Sequence, residues 1–299
     1  MQTFNEIIKK IGEELDIKVT LLSDNWLTIL EKDNEIHYIT GYKFDLNNHG
    51  IGNVMDDKSL FYDVMMKFNL PMVEQMCFYK KYDEEKVLDY FHRNNNTLIV
   101  KGSLGTCGKN VFLVKKEKDL FERIDFLYQT QDVVIISPFY DIKNEYRVIV
   151  LNNEIKLIYG KERPVLKGNG ISTIEELARN FNPYFSKHPE KIPDKDKVLK
   201  KDHEYILDYR FNLSNGAISF MDIPTDLKNK ITDLALLVST KLNITFASID
   251  IINTNDNKLL VLEANSGVMM KSFINQDSNG LDIAYSIYRD AIKLMFNIQ

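Results

Sequence analysis

Residues 246–265 carry the pattern that most narrows the folds open to this chain. Two apolar, β-rich runs, 246–252 and 259–262, flank the polar turn 253–258. An apolar run on each side of an Asn/Asp-rich connection specifies an antiparallel hairpin. Asp250 lies inside the first run, and Glu263 with Asn265 ends the second. Side chains two apart on a strand share a face, so Glu263 and Asn265 point the same way. Pairing of the two runs can bring Asp250 onto that face as well. Two carboxylates and an amide then converge as oxygen donors, a set suited to a hard cation such as Mg²⁺ that holds phosphates. The plainer alternative, a surface hairpin with solvated polar residues, stays open at this point.

A chain of 299 residues, 44% apolar and 27% charged, can bury a large core and build two or three lobes. Its formal net charge is −5, from 38 basic and 43 acidic residues. That balance excludes a nucleic-acid surface as the leading expectation. Two cysteines, Cys77 and Cys107, cannot frame a disulfide network or a Cys-based zinc site, so a reducing, cytoplasmic setting is expected. Residues 1–16 are charged and amphipathic rather than signal-like, and no run approaches 18 apolar residues. No membrane span is therefore expected.

In chain order, apolar positions 4, 7, 8, 11 and 15 predict an amphipathic helix. Short β-like runs follow at 18–22, 26–30 and 35–40, and the Asn- and Gly-rich stretch 41–52 reads as loop. Residues 60–69 predict a helix capped by Asp57 and stopped before Pro71. Lys58 in its first turn opposes the helix dipole, an arrangement that a phosphate partner would explain.

Residues 97–101 read as a strand ending on Lys101. It runs into Gly102-Ser103-Leu104-Gly105-Thr106-Cys107-Gly108, and a second strand follows at 111–114. A glycine loop between two strands excludes both a Rossmann fingerprint and a P-loop, each of which needs a helix after the glycines. Backbone N–H groups of such a loop can close over phosphates, with Lys101 adding a point charge. A merely flexible hairpin is the competing reading.

Further on, 119–129 predicts a helix and 132–137 a strand, followed by Pro138, Phe139 and Tyr140. This aromatic crossing can form a flat slot for a purine, with Glu145 placed to accept from ribose hydroxyls. Glu145-Tyr146-Arg147 opens a strand at 148–151 that hairpins through Asn152-Asn153 into 155–159. The loop Gly168-Asn169-Gly170-Ile171-Ser172-Thr173 precedes a helix, 174–180, with Ser172 or Thr173 as N-cap and Glu175 and Glu176 in its first turn. The polar stretch 182–204 reads as a mobile loop, 205–209 as a strand, and 224–242 and 280–295 as helices.

Taken together these motifs resemble the ATP-grasp carboxylate–amine ligases. The order is Asp57-Lys58, Lys101 with its glycine loop, Glu145-x-Arg147, Asn212-Leu213-Ser214, Asp250, and Glu263-x-Asn265. The branch containing cyanophycin synthetase is the most similar, since it shares the Gly-x-Gly-x-Ser-Thr loop; glutathione synthetase and D-alanine–D-alanine ligase are more distant. The resemblance implies an α/β fold with α+β lobes: an N-terminal lobe (1–55), a central lobe with the glycine lid (56–137) and a C-terminal lobe with the metal hairpin (138–299), the last two clasping ATP. It implies that Lys58 and Lys101 hold the nucleotide phosphates, with Gly102, Ser103, Gly105 and Gly108 as a lid. Ser137, Phe139 and Tyr140 stand at the hinge that reads adenine, Glu145 at the ribose, and Asn212 nearby. Asp250, Glu263 and Asn265 match the ligands of Mg²⁺ (or Mn²⁺).

Two departures bear on these roles. Relatives often carry a glutamate where this chain has Pro138, and an arginine where it has Ser248. The cation that steadies the acyl phosphate is therefore assigned to Arg210, with Arg147 second. The implied activity joins a carboxylate to the amine of an amino acid or peptide, using ATP and releasing ADP and phosphate. A small-molecule kinase, or an ATP-binding regulator without catalysis, is the alternative. A homo-oligomer is compatible with the resemblance.

Overall fold

The computed structural model describes residues 1–105 and 108–298. Helix α1 (Gln2–Leu15) buries Phe4, Ile7, Ile8 and Ile11, positions three and four apart that form one stripe. Strands β1 (Lys18–Leu22), β2 (Leu27–Lys32) and β3 (Glu35–Thr40) follow as the sequence predicts, and β4 (Lys43–Phe44) completes an antiparallel sheet in the order β1-β2-β3-β4. The loop expected over 41–52 is corrected twice, by β4 within its first half and by α2 (His49–Asp56), which begins near its end. Asn48 accepts from the Ile51 N–H as its cap, and Ile51 and Met55 are buried. The Asn that signalled a loop is a helix start.

Helix α3 (Lys58–Lys67) is capped by Asp57, which accepts from the N–H groups of Ser59 and Leu60. A second sheet follows, built from β5 (Met76–Tyr79), β6 (Leu98–Gly102), β7 (Val111–Val114) and β8 (Val133–Pro138) in the order β5-β8-β6-β7, with α4 (Glu84–Arg93) and α5 (Glu117–Tyr128) interposed in the chain. The helices cover one face: Val87, Phe91, Leu120 and Ile124 pack on Leu98, Val100, Val134 and Ile136. Side-chain alternation therefore turns Ile99, Lys101, Ile135 and Ser137 to the opposite face.

The third sheet uses β9 (Ile142–Leu151) and β10 (Glu154–Glu162). Between β10 and the rest come β11 (Val165–Lys167), α6 (Ile174–Phe181), α7 (Pro183–Lys187) and β12 (Glu204–Ile206). Then β13 (Ile218–Phe220), α8 (Thr225–Leu242), β14 (Phe246–Thr254), β15 (Leu259–Asn265), α9 (Lys271–Ile274) and α10 (Gly280–Met295) complete the chain, and the sheet order is β13-β10-β9-β14-β15. One face packs on α2, α3 and α8 through Val148, Val150, Ala247 and Ile249. The other packs on α1, α10 and the first sheet through Ile149, Leu151, Leu157 and Phe246. The division expected between residues 55 and 56 thus runs through the last turn of α2, whose buried residues share a core with the third sheet.

Three more readings change. Glu145 lies inside β9 rather than ahead of it, and β10 runs on to Glu162. The strand expected over 205–209 shortens to Glu204–Ile206. Residues 182–204, expected as a mobile loop, hold α7 and bury Phe185, Ile192 and Leu199 against Leu166, Ile174 and Ala178. Three apolar residues scattered among lysines carry no periodicity, but α6 supplies a face for them. Of the two N-cap candidates Thr173 takes the role, closing a reciprocal capping box with Glu176. Phe185→Ala is expected to cost about 3 kcal/mol locally, and limited proteolysis should then cut first within 183–200. No helix among the described residues is long and apolar enough to cross a membrane.

Candidate functional site

The start of α3 is tied to the glycine loop through short local contacts. Asp57 accepts from the Ser59 N–H at 2.8 Å and from the Ser103 hydroxyl at 3.3 Å. The Lys58 N–H donates to the Ser103 carbonyl at 3.0 Å. The Lys58 ammonium donates to the Gly105 carbonyl at 2.8 Å and lies 3.6 Å from Glu263 Oε2. The cation that opposed its own helix dipole is therefore balanced from outside the helix. Gly105 and Gly108 have φ of +127° and +67°, conformations that a side chain would strain. Thr106 and Cys107, part of the expected lid, lie outside the described residues.

Lys101 is buried at the end of β6, 7% exposed. Burial, aided by the nearby Lys58 charge and opposed by Glu263, lowers its pKa to about 8. The two lysines and Glu263 thus form one electrostatic group. A lysine whose folded pKa lies below its unfolded value disfavours the charged form in the fold. Apo stability should accordingly rise as pH climbs from about 8 toward the unfolded lysine value, while affinity for an anion held by Lys101 falls over the same window. Nucleotide titrations between pH 7 and 10 check the second expectation; a flat profile would remove Lys101 from phosphate binding.

On the third sheet, register places the remaining charges. Tyr159 pairs with Arg147, Arg147 with Asp250, and Asp250 with Glu263, so one row crosses four strands. Lys161 pairs with Glu145 in the adjoining row, and Ser248 with Asn265 on the other side. Arg147 grips Asp250 with two parallel bonds, Nε to Oδ1 at 2.9 Å and Nη2 to Oδ2 at 2.6 Å. Lys161 donates to Asp250 Oδ1 at 3.0 Å and also pairs with Glu145. Two cations face two anions, which is how buried charge is tolerated.

The protonation shifts follow from that arrangement. Burial works to raise the Asp250 pKa, but Arg147 and Lys161 outweigh it and hold the carboxyl far below the ordinary range. Glu145 is raised, burial outweighing its pairing with Lys161. Burial and Arg147 depress Lys161, yet Asp250 and Glu145 leave its pKa above the usual lysine value. Asp250, Arg147 and Lys161 are thus shifted toward their charged forms, and Glu145 away from its own.

The oxygen donors can be tested against a divalent cation. Asn265 Nδ2 lies 3.4 Å from Glu263 Oε1, so both end on one face of β15, beside Asp250. Among the described residues no three Asp, Glu, His or Cys side chains cluster as metal ligands; the donors here are two carboxylates and one amide. That chemistry fits a hard cation. Three of the four lone-pair positions of Asp250 are already occupied, so Glu263 and Asn265 are the freer donors.

The other expected residues fall near the loop and the hinge. Arg210 forks onto Asp208, Nε to Oδ1 at 2.9 Å and Nη2 to Oδ2 at 2.7 Å, and its Nη1 donates to the Gly108 carbonyl at 2.9 Å. Asn212 accepts from the Ser214 N–H at 3.0 Å, and its amide nitrogen would lie 3.6 Å from a β-carbon on Gly108. Arg210 and Asn212 therefore flank the far end of the loop, whereas Arg147 sits on the acidic sheet face. At the hinge Ser137 is buried. Phe139 meets Tyr209 edge-on at 6.2 Å, and the Tyr140 hydroxyl accepts from the Glu74 N–H.

Lys161 is the residue that sequence reasoning missed. Leu157, Tyr159 and Lys161 continue one period-two face of β10, and extending that alternation past Tyr159 would have found it. Tyr209, whose hydroxyl donates to the Val111 carbonyl at 2.9 Å, had no such signal.

Comparison with known proteins agrees with this architecture. The chain is 22% identical over 223 residues to the glutathione biosynthesis bifunctional protein GshAB of Clostridium perfringens, covering 73% of this chain and 27% of that protein. Its fold is similar to a bifunctional glutathione synthetase from Pasteurella multocida, with a TM-score of 0.58 at 16% identity, over 99% of this chain and 44% of that one. It is also similar to D-alanine–D-alanine ligase from Bacillus anthracis, with a TM-score of 0.53 at 13% identity, over 82% of this chain and 70% of that one. The chain thus spans less than half the length of the two bifunctional relatives. The model of the RimK-like ATP-grasp domain matches residues 55–163 and 200–290. With a glycine loop between two antiparallel strands and most of its length inside that match, the chain belongs to the RimK-like ATP-grasp family.

Proposed function

We propose that this chain is an ATP-dependent ligase that activates a carboxylate as an acyl phosphate and joins it to the amine of an amino acid or peptide. The observation that carries the reading is the meeting of Lys58, Lys101 and Glu263 at the glycine loop. Lys58 beside the Gly105 carbonyl, Lys101 at the strand end that opens the loop, and a carboxylate 3.6 Å from Lys58 suit a polyphosphate better than any neutral ligand.

In this reading a carboxylate oxygen of the substrate attacks the γ-phosphorus of ATP, and the bond to the β,γ-bridging oxygen breaks to release ADP. The amine nitrogen then attacks the acyl carbon, the acyl C–O bond breaks, phosphate leaves and the amine gives up its proton to solvent. Lys58 and Lys101 hold the ADP phosphates through both stages. Glu263 and Asn265, with the remaining lone pair of Asp250, would hold Mg²⁺, which supplies neutralisation of phosphate charge when bound. Arg210, anchored by Asp208 beside the loop, is the cation that steadies the acyl phosphate. Closure of the loop over the nucleotide excludes water that would otherwise hydrolyse that intermediate. The nucleotide lies between the second and third sheets, with residues 56–137 and 138–299 as its two lobes.

The test is ADP release with ATP, Mg²⁺ and pooled carboxylates and amines. ADP and phosphate in equal amounts, matched by an amide product, support ligation. A stable phosphorylated product would replace it with a kinase, and nucleotide binding without ADP release would replace it with a regulator.

A further inference from the structure

Gln75 stands outside every role assigned above, yet it is 5% exposed. Both its amide atoms, Oε1 and Nε2, are buried without a hydrogen-bond partner among the described residues. A primary amide desolvated with neither donor nor acceptor satisfied is uncommon in native chains, because the lost hydration is left uncompensated. A ligand group that pairs with both atoms would account for it.

The place of Gln75 in the fold indicates which ligand. Met76 and Phe78 pack into the helix-covered core of the second sheet. Successive residues of an extended chain face opposite ways, which turns Gln75 and Cys77 to the other face. The ladder pairs Cys77 with Ile135 and Ile135 with Lys101, and pairs Met76 with Ile136. The ladder ends at Met76, and continuing its register by one residue sets Gln75 opposite Ser137 at the hinge, on the face that carries Lys101. Pro138, next in the hinge, has no N–H to offer a base.

We propose that Gln75 reads the purine edge of the bound nucleotide, Oε1 accepting from the exocyclic amine of adenine and Nε2 donating to the neighbouring ring nitrogen. The proposal rests on the ATP reading above and adds the residue that selects the base. A primary amide presents donor and acceptor side by side, the two-point match that Asn and Gln make with adenine N6 and N7. Both orphaned atoms are then satisfied by the base.

Equilibrium binding without turnover tests it. The probes are ATP, GTP and purine riboside triphosphate, which lacks the exocyclic amine. The proteins are the wild type, Gln75→Leu and the length-matched Gln75→Met. The wild type should bind ATP about ten-fold more tightly than purine riboside triphosphate, the size of one to two net hydrogen bonds. Both variants should lose about ten-fold in ATP affinity, bind the two probes equally, and melt without nucleotide no lower than the wild type. A folded variant with wild-type ATP affinity would overturn the proposal. So would a wild type that binds GTP or purine riboside triphosphate as tightly as ATP, and that comparison needs no variant. Either result leaves the ligase reading in place. A wild type that binds none of the three removes the ligase reading and this inference with it.

Discussion

Glu263→Gln is expected to lower ATP turnover by about a thousand-fold or more while leaving the fold intact. The carboxylate faces Lys58 at 3.6 Å and is the freer of the two acids on the sheet face. Charge neutralisation of a transferring phosphoryl group is worth several kcal/mol, and each 1.4 kcal/mol is a factor of ten in rate. Stability should barely respond. The pair with Lys58 is long, and the Glu263 side chain is 27% exposed, so after solvent screening it contributes well under about 1 kcal/mol. ADP release and the apo melting temperature, measured on the same preparation, check both halves. Turnover above a tenth of wild type would show that Glu263 does not serve the phosphates.

Asp250→Asn should behave differently, although both residues are acids in one row of the sheet. Asp250 is 2% exposed and accepts three charged hydrogen bonds. Removing its charge leaves Arg147 and Lys161 buried against Glu145 alone. Breaking a buried pair from one side typically costs about 3–5 kcal/mol, which lowers the melting temperature by roughly 10 °C in a chain of this size. The pH dependence has a definite sign. A carboxyl held below its unfolded pKa contributes stability above the unfolded value and loses it as pH falls through the folded one. In the wild type that loss is deferred to strongly acidic solution, and in Asp250→Asn this limb of the acid unfolding curve should shrink. A melting temperature within two degrees of wild type would mean that the four charges do not act as a unit.

Much of the fold was legible from local pattern alone. The α1 stripe, strands β1 to β3, the β6–loop–β7 unit, the β14–β15 hairpin and α10 all lie where periodicity and turn residues place them. Asp57 and the Thr173–Glu176 pair cap helices as their spacing implies. Residues 41–52 and 182–204 were misread for one physical reason. Polar, Asn- and Lys-rich composition indicates exposure of most side chains, but a few buried ones such as Ile51 and Phe185 are enough to order a segment once a core is present to receive them.

Within the site the division is similar. Alternation on β15 placed Glu263 and Asn265 together, and glycine spacing marked the loop near Lys101, because side-chain direction and backbone freedom are local properties of a few residues. Which charges neutralise which could not be read that way. Arg147 and Asp250 are 103 residues apart, and Lys161 and Asp250 are 89 apart. Only the register of β9, β10 and β14 sets the distances between them. Coulomb energy depends on those distances and on burial, neither of which a linear pattern contains. The sequence by itself therefore determined the elements and the residue types of the site; the tertiary structure decided that Asp250 is held by two cations while Glu263 faces the loop.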